Sequence, residues 1–290
     1  MTNADVQAVC RVGATLGEGP AWIARDQSLW FVDIKHPRLY RFHAATRTLD
    51  HWAAPAQIGW ALPAADGTMI AGLQTGLHRF DPGNGSFTLI VEVEPDRPGN
   101  RLNDATVAPD GTLWFGSMDD DEQAETGHFY RLDGRTVIDS GHPPVAITNG
   151  PACSIDGRTL YTTDTLGRTI WAQAVNDDHT LGPQRVFATI EEGAGYPDGP
   201  TIDAEGCLWT GLYGGWVVRR YDPDGRLMRS VAMPVANVTK IAFGGADLRT
   251  AFATTARQGL DAAARERQPL AGDLLAFDPG VAGAALTTVR

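Results

Sequence analysis

Six times along the chain a polar turn runs into a short aromatic or aliphatic pair: DQSLWFVD, ADGTMIAGL, PDGTLWFGS, IDGRTLYTTD, AEGCLWTGL and ADLRTAFAT. With Trp30, Ile70, Trp114, Tyr161, Trp209 and Ala251 taken as equivalent, the spacings are 40, 44, 47, 48 and 42 residues. A period of that length is one blade of a β-propeller. A second segment follows each of these at a similar lag, in LYRF (39–42), LHRF (77–80), FYRL (129–132), IWAQ (170–173), VRRY (218–221) and LLAF (274–277). These read as third strands, and runs such as LIVEV and SVAMP as fourth, edge strands. The sequence therefore predicts an all-β fold, a six-bladed β-propeller of four-stranded antiparallel blades, as a single domain over 1–290. A strand around 7–13 is expected to complete the last blade. Only 257–267, RQGLDAAARER, reads as helix, in a connection within that blade.

Charge narrows the partners. The chain has 24 Lys+Arg against 35 Asp+Glu, a formal charge of −11, and no basic cluster. Its long-range field repels phosphate backbones and anionic lipid, so neither nucleic acid nor a membrane surface is an expected partner. The start MTNADVQAVCRVG lacks the basic and then apolar stretch of a secretory signal, and no run reaches membrane-spanning length, so a cytoplasmic address is expected. Cys10, Cys153 and Cys207 form no CxxC pair and read as small buried hydrophobes. A propeller needs no partner to finish its core, which makes a monomer the expectation.

The chemistry should lie where the innermost strand of each blade starts, facing the central channel. Counting back 11 or 12 residues from the first five repeat positions lands on Glu18, Ile58, Asn103, Asn149 and Asp198, and blade 6 offers Asn237. Three of these precede Gly-Pro: Glu18, Asn149 and Asp198. Asn-Gly and Asp-Gly are turn signals in their own right, and strand starts alone would account for Asn103 and Asn237. That explanation fits Glu18 badly, and it gives no reason for two carboxylates to approach one crowded axis. Converging anions and amides call for a cation. With no Cys or His among them the donors are hard oxygen, which favours Ca²⁺, Mg²⁺ or Mn²⁺, although Zn²⁺ and Fe²⁺ also accept carboxylate. An ion held by three or four protein groups keeps positions open, which points to hydrolysis with Asp198 or Glu18 taking a proton from water.

The chain resembles the senescence marker protein (regucalcin)/gluconolactonase-like family along its whole length. The motifs that carry the resemblance are LGEGPAW (16–22), LWFVDI (29–34), RLNDATVAPDGTLWFGSM (101–118), ITNGP (147–151), LYTTDT (160–165), YPDGPTIDAEGCLWTGLYGG (196–215) and NVTKIAFGG (237–245). The resemblance implies Glu18, Asn149 and Asp198 as ligands of one divalent metal ion. It implies Asn103 as the residue reaching toward water or substrate, and Arg101 as a contact to a substrate hydroxyl. The implied activity is hydrolysis of sugar lactones to aldonic acids, with Asp198 as general base and the metal as Lewis acid. FVDIK, YPDG, NVTK and TTARQGL resemble the bacterial xylonolactonase, arabinonolactonase and gluconolactonase type. The partner so implied is a neutral small-molecule sugar lactone.

At the rim, Trp60, Tyr213 and Trp216 offer aromatic faces that suit a sugar ring, although propeller cores are rich in aromatics anyway. The run Asp119-Asp120-Asp121-Glu122 reads as a solvated loop with one carboxylate near the substrate. The seven histidines form no HxH or HExxH pattern, and neither GxSxG nor GxxxxGK[ST] occurs. The competing readings are a phosphotriesterase or aryl esterase on the same site, and a non-catalytic metal-binding propeller. WD40 signatures are absent from the sequence.

Overall fold

The computed structural model describes residues 5–290; residues 1–4 of the expected domain lie outside it. Six four-stranded antiparallel sheets occupy residues 17–53, 58–91, 100–139, 148–189, 196–232 and 238–277, here blades 1 to 6. The fourth strand of blade 6 is the N-terminal one, Gln7–Cys10, which pairs antiparallel with Leu274–Phe277. The first and last strands of the described chain are thereby joined in one sheet, and the ring closes without an unpaired seam. The helix expected in 257–267 is a short one, Ala262–Arg267, capped by the Asp261 side chain on Ala264 N. No helix of the described residues is long and apolar enough to cross a membrane.

The apolar side chains face neighbouring blades, so the core is a ring of separate layers between sheets. Blades 1 and 2 share Trp30, Leu39, Ile58, Met69 and Phe80, and blades 5 and 6 share Trp209, Val218, Ile241 and Phe277. The repeated aromatic of the second strand is thus an inter-blade wedge, which is why the period is legible as a run of Trp and Tyr. Trp60, aligned above with the pocket rim, belongs to such a layer. It is 1% exposed, packs against Phe115 with ring centroids 6.1 Å apart, and lies over Gly72 of the adjoining strand. A Cβ on Gly72 would stand 2.3 Å from Trp60 Cε2. Gly72→Ala is therefore expected to overpack this layer and cost about 2 kcal/mol, read as a lower urea midpoint. An unchanged midpoint would show that the indole has room to move.

The inner strands, Gly17–Ile23, Ile58–Pro63, Asn100–Val107, Thr148–Cys153, Tyr196–Ile202 and Val238–Gly244, line the channel. Each slips register against its neighbour in the same place: 18–21, 58–60, 102–105, 149–152, 197–200 and 238–241. A bulge leaves residues unpaired and turns their side chains off the strict alternation of a strand. Proline lacks the N–H that a ladder requires and glycine takes positive φ, so Gly-Pro suits a bulge. Gly19 sits at φ 54° with Pro20 behind it, and Gly150 at φ 76° before Pro151. The X-Gly-Pro triplets thus have a backbone role, and the residue X that precedes each is swung toward the axis. The starts of the strands surround a cavity of about 240 Å³, while their far ends surround another of about 840 Å³.

Candidate active site

Glu18, Asn103, Asn149 and Asp198, from blades 1, 3, 4 and 5, meet on the smaller cavity, and none is more than 6% exposed. The structure brings together every expected ligand position. Glu18 Oε2 accepts from Gly19 N at 2.7 Å and Asp198 Oδ1 from Gly199 N at 2.9 Å. In each case the bulge presents the next residue's amide to the carboxylate, so the side chain is anchored by its own strand. The two carboxyl groups lie within hydrogen-bonding reach of one another. Burial, and then the charge of Asp104, pushes Glu18 up to about 7. Burial, followed by Glu18 and Asp104, likewise raises Asp198 well above the ordinary carboxylate range. Two buried carboxylates held this way need a proton or a cation between them.

Among the described residues no group of three or more His, Cys, Asp or Glu gathers as a metal site. An ion here would rest on two carboxylates and the amide oxygen of Asn149, a hard oxygen set that fits a divalent cation. Asn149 Nδ2 donates to Thr165 Oγ1 at 2.9 Å, which leaves its Oδ1 on the side of Asn103.

Arg101 is buried beside the cavity. Its Nε donates to Asp120 Oδ1 at 2.7 Å and its Nη1 to Asn103 Oδ1 at 2.7 Å. Asp120 also accepts from Lys35 Nζ at 2.6 Å and Gln57 Nε2 at 2.8 Å. Burial opposes its charge, but these donors hold its carboxyl below the usual range. Asn103 is committed as well, its Nδ2 donating to Thr148 O at 2.5 Å and to Asn149 Oδ1 at 3.2 Å. The acidic run therefore divides its work. Asp119 accepts from Gln123 N and Ala124 N, Asp120 clamps Arg101, and Glu122 lines the cavity.

Tyr213 reaches the cavity with its ring, while its hydroxyl donates to Gln258 O at 3.0 Å. Burial, and then the charge of Asp198, pushes that phenol up. Three expected positions lie elsewhere. Trp60 is core, Trp216 is half-exposed outside the cavity lining, and Asn237 donates to Gln258 O at 3.0 Å instead of lining the cavity. The repeat alignment had no means of separating a side chain at the bulge from one that ties down a loop just before the strand.

Two buried charges escaped the sequence reading. Lys240 Nζ sits 2.6 Å from Asp104 Oδ1, and the residues are 7% and 1% exposed. Asp104 Oδ2 accepts from Gly150 N at 2.9 Å. A lysine inside a fully buried strand, VTKIAFG, was the available signal, because a buried ammonium implies a buried anion.

The family model described as SMP-30/Gluconolactonase/LRE-like region matches residues 16–257. An L-arabinolactonase of Azospirillum brasilense is 36% identical over 93% of this chain and 91% of its own length. A 6-deoxy-6-sulfogluconolactonase of Pseudomonas putida is 28% identical over 98% of each chain. Among solved structures, a calcium-binding protein of Agrobacterium tumefaciens, regucalcin, superposes with a TM-score of 0.94 at 28% identity, over 100% of this chain and 97% of that one.

Proposed function

The chain belongs to the SMP-30/gluconolactonase/LRE-like family, and from that membership we propose that it hydrolyses a sugar lactone, an aldono-1,4- or 1,5-lactone, to the aldonic acid. The observation that carries this reading is the meeting of Glu18, Asn149 and Asp198 on one small buried cavity whose wall also holds Arg101. A divalent cation (Ca²⁺, Mg²⁺, Mn²⁺, Zn²⁺ or Fe²⁺) held by Glu18, Asn149 and Asp198 would supply Lewis acidity at the ester carbonyl.

Asp198 takes a proton from the attacking water with the carboxylate oxygen that Gly199 N does not hold. The water oxygen bonds to the carbonyl carbon, the ring C–O bond breaks, and the ring oxygen leaves as a hydroxyl with a proton returned to it. The product is a carboxylate. Arg101 cannot swing, because Asp120 and Asn103 hold it from two directions. It therefore orients a substrate hydroxyl at little entropic cost. Leu16, Met118, Ile147 and Leu166 form an apolar wall, and a volume of about 240 Å³ suits a single sugar ring. The acidic surroundings favour release of an anionic product over a neutral substrate.

Proton release from xylono-, arabinono-, glucono- and galactonolactone tests this, using metal-stripped protein restored with each of the five ions and corrected for spontaneous hydrolysis. Metal-dependent turnover of one or two lactones is the expected result. Silence across the lactones while an aryl ester or phosphotriester is cleaved would overturn the substrate class, and silence on all of them with metal bound would overturn the enzymatic reading.

A further inference from the structure

We propose that Thr165 is a positioning residue whose hydroxyl locks the amide of Asn149 with its oxygen facing the cavity. The proposal rests on the reading that Glu18, Asn149 and Asp198 hold a divalent ion. Thr165 follows the second strand of blade 4 in the segment TTDTLG, and is 6% exposed. Its Oγ1 donates to Pro197 O at 3.0 Å and accepts from Asn149 Nδ2 at 2.9 Å. One hydroxyl thus ties a ligand of blade 4 to the residue preceding Asp198 in blade 5.

The count of available protons fixes the arrangement. An asparagine amide has nearly the same shape either way round, so its orientation is set by its partners. A threonine hydroxyl has a single proton. Pro197 O can only accept, so that proton is spent there, and Thr165 can only accept from Asn149. Asn149 must then turn its NH₂ to Thr165 and its oxygen the other way. The opposite end of the chain of bonds agrees. Arg101 can only donate, and it donates to Asn103 Oδ1, which obliges Asn103 to offer its NH₂ to Asn149 Oδ1. From Arg101 to Pro197 O every bond runs in one direction, set at one end by an arginine that can only donate and received at the other by a carbonyl that can only accept.

Without the hydroxyl, the flipped Asn149 becomes accessible. In that orientation an NH₂ group, which cannot ligate a cation, faces the cavity, and the NH₂ of Asn103 meets another donor. Outer partners that orient a ligand commonly govern metal affinity by 10- to 100-fold.

The test is titration of metal-stripped protein with Mn²⁺, followed by the resonance of the free ion, and with Ca²⁺ by calorimetry. Thr165→Val keeps the shape and removes the hydroxyl, and is expected to weaken binding by about 10- to 100-fold, while Thr165→Ser retains affinity within about threefold. The discriminating arm repeats the comparison with Asn149→Asp. A carboxylate has two equivalent oxygens and no wrong way round, so Thr165→Val should cost little affinity in that background. Equal affinity of Thr165→Val and the unaltered protein overturns the proposal. So does an undiminished loss in the Asn149→Asp background, or a Thr165→Ser defect as large as that of Thr165→Val. Failure of the unaltered protein to bind either ion would instead overturn the metal reading itself, and the proposal with it.

Discussion

Replacing Asp198 with Asn is expected to lower kcat/KM for lactone hydrolysis by at least about 10³-fold and, in the same molecule, to raise the unfolding midpoint of the metal-free protein at pH 8. The first effect follows from removing the proton acceptor together with one of two anionic ligands. The second follows from the electrostatics of the cavity. Glu18 and Asp198 are both raised by burial; the charge of Asp104 adds to both, and that of Glu18 adds to Asp198. An acid whose pKa is higher folded than unfolded holds its proton longer in the folded state. Its contribution is harmless below the unfolded value of 4.5, grows unfavourable as pH rises through the folded value of about 7, and is fully destabilising above it. For Glu18 that rise corresponds to about 3 kcal/mol, and Asp198, raised by burial and by the charge of Glu18, opposes folding at high pH in the same way, so a neutral amide in its place removes that contribution. Urea unfolding in chelator at pH 5 and pH 8 reads this directly. The unaltered protein should be the less stable at pH 8, and Asp198→Asn should narrow the gap. Near-normal turnover by the variant would sink the mechanism, and a metal-free variant less stable at pH 8 than its parent would sink the account of the paired carboxylates.

This opposition of stability and activity explains how much of the molecule could be read from residues alone. The blade period is written in Trp30, Trp114, Tyr161 and Trp209 because each repeat must wedge its neighbour apart, so packing and sequence carry the same signal. Glu18, Asn149 and Asp198 were legible for the opposite reason. They violate the expectation for a buried strand, and the Gly-Pro that follows each marks the bulge that aims it. Trp60 was misplaced because it sits beside the same bulge in blade 2, between 58 and 60, where a shift of one residue exchanges channel and core. The acidic run signalled a carboxylate near the substrate without saying that Asp120 is the one that clamps Arg101, and Thr165 gave no signal, since both act on Arg101 and Asn149 through side-chain geometry that no spacing in the chain encodes.

Lys240→Met is expected to destabilise the protein by about 3–5 kcal/mol, the usual cost of leaving one member of a buried ion pair alone. Methionine keeps most of the stem, so the effect is one of charge. The stem fits because residue 199 is glycine, where a Cβ would stand 2.7 Å from Lys240 Cδ. The Nζ ends on Asp104 Oδ1, and the Asp104 carboxylate also takes Gly150 N at 2.9 Å and Ala105 N at 2.7 Å. Blades 3, 4 and 6 are thereby tied at the axis, between the small cavity and the large one that Lys240 also lines. Without the ammonium, Asp104 would be a third uncompensated anion next to Glu18 and Asp198. Glu18 would rise further, since Lys240 now holds it down. The double variant Asp104→Asn with Lys240→Met removes both charges and should recover most of the lost stability, because a neutral amide can still serve one of the backbone donors. The four proteins form a cycle that isolates the pair. A loss below about 1 kcal/mol for Lys240→Met, or a double variant no more stable than the single, would show that the pair does not hold the blades together at the axis. Recovery in the double variant would place the lysine's purpose in balancing Asp104 beneath the two carboxylates, so that the cavity can keep the charges its chemistry requires.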